Sequence, residues 1–141
     1  MIRNPKDMAP SLNVRRFGAL VVLLTVVTSG YFAVSSLADP GGLVPGGDQA
    51  APRTYAAYMA ARSVVLLGGM VWLLARHAWR SLGLLLALNG AVQIGDAAIG
   101  AAHRQVPQTI GPLVFAAALL IAAWLLTGRN PTPGRIRPTS R

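Results

Sequence analysis

The chain contains no cysteine and no glutamate, and its four acidic residues are all aspartate. Without cysteine there is no disulfide scaffold, no thiol redox chemistry and no Cys–Zn site. Charge is scarce altogether. It makes up 12% of the 141 residues, whereas an ordinary soluble domain carries roughly 25%. A disordered segment is excluded from the opposite direction, because disorder needs low hydrophobicity and 53% of this chain is hydrophobic. No P-loop, no HExxH zinc helix and no glycine-rich dinucleotide fingerprint occurs. The paired glycines at 41–42 and 46–47 sit among Asp39, Pro40, Pro45 and Asp48, which is turn chemistry rather than a phosphate cradle.

What the chain has instead is long apolar runs. A bilayer core of roughly 30 Å takes about 20 apolar residues in a helix. Four runs meet that length, at 17–37, 56–75, 81–101 and 108–127. They predict an all-α, integral membrane four-helix bundle of up-down-up-down topology. Residues 1–16 form a basic arm, 17–127 the transmembrane domain and 128–141 a flexible basic tail with three prolines and four arginines. A five-residue turn at 76–80 joins the second and third spans. The turn at 103–107 joins the third and fourth, with Pro107 placed to start a helix. A basic arm, an apolar stretch and Ser36-Leu37-Ala38 also resemble a cleavable signal peptide, but 21 residues is long for such a core. Cleavage would leave three spans in unchanged orientation.

The net charge of +9 can suggest nucleic acid, but here the cations lie between apolar runs, which points to a bilayer and to no nucleic-acid partner. Arg3, Lys6, Arg15, Arg16, Arg76, Arg80, Arg129, Arg135, Arg137 and Arg141 fall on one side, against Arg53 and Arg104 on the other. This asymmetry predicts both termini in the cytoplasm of a cell with the chain in its inner, or plasma, membrane. The basic segments are expected to hold anionic lipid. Trp72, Trp79 and Trp124 fit an interfacial belt at the cytoplasmic side.

Polar residues inside the spans carry the functional information, since a central Arg or Asp costs roughly 2.5–3.5 kcal/mol on insertion. Asn89, Gln93 and Asp96 stand at spacings of four and three on one face of the third span, with Gly100 continuing the stripe and His103 just beyond it. A second stripe, Gly83, Ala87, Ala91 and Gly95, has four-residue spacing and is expected to be the packed face. In the second span Tyr55, Tyr58 and Arg62 repeat the three-and-four spacing, with Met59 alongside. Arg62 and Asp96 fall at matching depth in the outer half, where a guanidinium and a carboxylate can meet. Thr25, Thr28, Ser29, Phe32 and Ser36 add a milder stripe on the first span, and Gln108 and Thr109 open the fourth. Bland readings exist beside each. The Arg62–Asp96 pair can fix helix register alone. Asn89 and Gln93 can serve interhelical hydrogen bonds worth about 0.6 kcal/mol each. Tyr55 and Tyr58 can be belt aromatics, and His103 and His77 solvated turn residues. Two histidines at opposite sides make no metal site.

The stretch from 58 to 126 resembles the DoxX-like group of small four-helix bacterial membrane proteins, and within it a branch of uncharacterised domains. The resemblance rests on Ala61-Arg62-Ser63, four apolar residues and Gly68-Gly69, on the basic turn, on Gly95-Asp96-Ala97 and on the polar turn before the last span. It implies the four-helix fold more than any activity. Arg62-Ser63 stands where that branch usually has Arg-Asp, which removes one acid.

Three functions follow as expectations. The first is a pocket in the outer half that binds a small lipophilic molecule with a polar head. Tyr55, Asn89, Gln93 and His103 would contact the ligand. If the pocket is catalytic, the chemistry is proton transfer, an isomerisation or cyclisation needing no cofactor. Asp96 would then be general acid/base, Arg62 the oxyanion partner and Tyr58 a proton donor. The second is a non-catalytic subunit or assembly factor of a membrane complex. The third is a small transporter working as a homo-oligomer.

Overall fold

The computed structural model describes residues 10–43, 47 and 49–128. The expected basic tail beyond Gly128, the first nine residues of the basic arm and parts of the glycine-rich loop lie outside the described residues. The described chain is all-α. Its helices are α1 (Leu12–Ala38), the single turn α2 (Pro40–Leu43), α3 (Ala50–Ala75), α4 (Trp79–Ala102) and α5 (Val106–Thr127). The four long helices are each long and apolar enough to cross a membrane, and at 1.5 Å per residue the shortest reaches about 33 Å.

The helices outrun the apolar stretches that predicted them. α1 begins five residues before the expected span and α3 six, because the sequence there carries no helix stop. Alanines at 50, 51, 56 and 57 favour helix, and Pro52 falls in the first turn, where it removes no hydrogen bond. Pro107 sits in the first turn of α5, as expected. The two tight turns close alike. Ala78 N–H donates to Leu73 O (3.0 Å) and Gln105 N–H to Gly100 O (2.9 Å). Between them His77 (φ 53°) and Arg104 (φ 57°) take the left-handed conformation, a position that glycine usually fills.

α4 packs most extensively on α5, α1 lies against both α3 and α5, and α3 touches α4 more lightly, which closes a ring of four. A dry core occupies one end of that ring. It joins Val21 and Val22 of α1, Met70 of α3, Leu82 and Leu86 of α4 and Leu119, Ala122, Ala123 and Leu126 of α5. The α4–α5 seam is set by glycines. A Cβ on Gly83 would stand 2.7 Å from Thr127 Cγ2, one on Gly90 3.0 Å from Leu120, and one on Gly100 2.6 Å from the backbone oxygen of Gln108.

This seam corrects the expected packed face. Ala91 and Gly95 are exposed, and nothing lies within 4 Å of a Cβ on Gly95. A strict four-residue repeat advances about 40° per step, so a stripe beginning at Gly83 has wound off the contact by Gly95. The true seam alternates steps of three and four through Gly83, Leu86 and Gly90, and reappears at Ala97 and Gly100, all buried. Gly100 therefore belongs to the packed face as well as to the polar stripe.

Candidate functional site

Beyond the core the helices stand apart. The far halves of all four surround a cavity of about 890 Å³, closed in part by Gly42 of α2 and Gln105 of the α4–α5 turn. Its walls include Thr28, Ser29, Phe32 and Ser36 from α1, Met59, Arg62, Ser63 and Leu66 from α3, Asn89, Gln93, Asp96 and Gly100 from α4, and Pro107, Gln108, Pro112 and Phe115 from α5. This volume falls within the roughly 300–1,000 Å³ of small-molecule sites.

Of the residues singled out in the sequence, the cavity wall brings together Arg62, Asn89, Gln93 and Asp96. It leaves out Tyr55, Tyr58 and His103, which are exposed outside the wall. The reason lies in helix geometry. The cavity-facing arc of α3 centres on Met59, Ser63 and Leu66. Arg62 stands at the edge of that arc, and Tyr58 is a further 40° or so outside it. Tyr55 shares the azimuth but lies about one turn, roughly 6 Å, beyond Met59. Thr25 also leaves the polar stripe of α1. It is buried in the core and donates its hydroxyl to Val21 O at 2.7 Å.

Arg62 and Asp96 share the wall, yet among the described residues no ion pair closes between them. Both line the cavity and are exposed. Two of the wall hydroxyls are already engaged: Ser36 Oγ donates to Ala33 O and Ser63 Oγ to Met59 O, both at 2.9 Å. They therefore offer the cavity acceptor lone pairs. No side-chain polar atom is sealed in without a partner among the described residues. Asn89, only 8% exposed, thus keeps its amide open to the cavity. The remaining donors on the wall are the Arg62 fork, the Asn89, Gln93, Gln105 and Gln108 amides and the Thr28 and Ser29 hydroxyls, and the one carboxylate is Asp96.

Sequence reasoning missed Ser63, Gln105 and Pro112. Ser63 was legible from its spacing to Met59 and Leu66. Pro112 acts through the backbone: it has no N–H, so the Gln108 carbonyl loses the donor four residues on. That carbonyl is the group facing Gly100, and only a residue without Cβ lets the α4 backbone come so close, a setting for a Cα–H···O contact.

Chemically, the arrangement suits an amphiphile. Apolar groups such as Phe32, Leu66 and Phe115 line part of the wall, and a guanidinium, four amides and a carboxylate converge on it. No group of three His, Cys, Asp or Glu suited to a metal occurs among the described residues. Fold and cavity together define a multi-pass, membrane-type helical protein with a polar site between its helices. No family model, curated protein or solved structure matches the chain.

Proposed function

We propose that the protein binds a small lipophilic molecule with a polar, hydrogen-bonding head in the cavity between its four long helices. The observation that carries this reading is the convergence of Arg62, Asn89, Gln93 and Asp96 on one cavity of about 890 Å³ without an ion pair closing between the charges. A purely structural pair would be expected to lock shut, because desolvated charges are costly unless matched. In this reading the spans run up-down-up-down with both termini cytoplasmic, the chain sits in the inner (plasma) membrane and the cavity opens toward the outer leaflet. The distribution of Arg and Lys supports that orientation. The likeness to DoxX-like proteins is consistent with the four-helix design and adds nothing about the ligand.

If the bound molecule reacts, Asp96 exchanges the proton and Arg62 holds the developing oxyanion, in an isomerisation or cyclisation without a cofactor. Tyr58 lies off the wall, so the proton-transfer role rests on Asp96. A second reading, a subunit of a membrane complex, is favoured by the exposed small residues Ala91 and Gly95, which leave α4 open to a partner helix.

The test is to purify the full chain from its native membrane, extract it with organic solvent and compare co-purifying molecules with those of Asp96→Asn and Arg62→Gln. A species retained by the wild type and lost from both variants, with folding intact, supports the cavity. Identical extracts from all three, or loss of assembly in the variants, turns the reading to the structural role.

A further inference from the structure

We propose a second site, on the outer surface of α1 and α3, that holds one anionic phospholipid with its phosphate on Arg76 and one acyl chain in an apolar groove. The proposal rests on the membrane reading above and does not depend on the cavity. The groove, of about 620 Å³, is lined by Val26 and Gly30 of α1 and by Val64, Gly68, Val71 and Trp72 of α3, and it runs on to Ala75. Nothing lies within 4 Å of a Cβ on Gly30 or on Gly68, so both glycines leave open space. From Val64 to Ala75 is eleven residues, about 16 Å along the helix, roughly one leaflet of the hydrocarbon core.

The charge at the end of the groove selects the occupant. Arg76 follows Ala75 directly, and its guanidinium carbon stands 5.4 Å from the centroid of the Trp72 ring. A guanidinium stacked on an indole keeps its N–H edge free for the paired oxygens of a phosphate. Arg15 is held in the same way over Trp79 at 5.7 Å, its Nε donating to Pro10 O at 2.7 Å. Of the described acids, Asp39 follows the end of α1 and Asp96 lies near the end of α4, both at the other end of the helix ring from Arg76, so no described carboxylate neutralises this end. A free phosphate would satisfy Arg76 alone; a phospholipid also fills the groove that begins beside it.

The experiment is native mass spectrometry of the full chain in neutral detergent with phosphatidylglycerol, phosphatidylcholine of the same chains, or inorganic phosphate. The wild type should bind phosphatidylglycerol on the order of fivefold or more tightly than phosphatidylcholine. Arg76→Gln should bring the two lipids to parity. Gly68→Leu should weaken both lipids by a similar factor while leaving selectivity intact, and Gly95→Leu should change neither. The proposal is overturned if Gly68→Leu leaves lipid binding unchanged, or if Arg16→Gln with Arg80→Gln erases selectivity as fully as Arg76→Gln. It is also overturned if inorganic phosphate displaces the lipid, or if the wild type is a dimer that Gly68→Leu makes monomeric. Release of the chain from membranes by alkaline carbonate would instead refute the membrane reading itself, and loss of the cavity ligand bears only on the cavity.

Discussion

The two ends of the helix ring are built from the same four helices and behave oppositely. At the core end Met70, Leu82, Leu86 and Leu119 are fully buried, and Trp79 and Phe17 pack around them. At the cavity end the buried residues of the four long helices are small or polar, namely Ala60, Asn89, Gly90, Ala97, Gly100 and Ala116, and the space between holds a charge of each sign. Leucine, valine and methionine interlock by shape and exclude everything else. Arginine, asparagine, glutamine and aspartate in apolar surroundings need partners, and on the proposed reading a ligand supplies them. Stability and ligand binding would then be divided along the length of the helices.

Substitutions at either end sharpen that division. The largest effect is expected at the core: Leu86→Ala should destabilise by about 2–5 kcal/mol through the void it leaves, measured as reversible unfolding in mixed micelles, with little change in ligand selectivity. Next comes the seam. Gly100→Ala drives a Cβ to 2.6 Å from a backbone oxygen that cannot rotate away, and should cost about 1–3 kcal/mol by the same assay. In the cavity, Arg62→Gln and Asp96→Asn should each weaken ligand retention about tenfold, near 1.4 kcal/mol, with unfolding free energy shifted by less than about 0.5 kcal/mol. Destabilisation of core size from either would make the two charges part of the scaffold. The smallest effect is Gly95→Ala, which meets open space and should stabilise α4 by about 0.5–1 kcal/mol. A loss there would mean that a partner helix already covers it.

The helices, their number and their order were legible because a run of about 20 apolar residues has few other homes. The polar stripe of α4 was legible too, since Asn89, Gln93 and Asp96 keep a three-and-four spacing along one face. The packed face was not. A four-residue stripe of small residues looks continuous on paper, and only the 100° step reveals that it winds away. The place of Tyr58 depended on where the α3 arc is centred, which its neighbours on α1 and α4 decide. The Gln108–Gly100 approach was hidden for another reason: Pro112 acts by withholding a hydrogen, and side-chain patterns do not record what a backbone lacks.

The unequal seams have a bearing on which contacts yield first. α4 and α5 meet through glycines from Gly83 to Gly100 and are joined by a short turn, so this hairpin carries the closest packing in the ring. α3 rests on α4 only lightly. Helices that associate after insertion do so by fit, so the α4–α5 seam tolerates the least change and the α3–α4 contact the most. If the cavity binds a lipophilic molecule as proposed, this light contact is where a guest dissolved in the bilayer would enter sideways, with no need to pass through water.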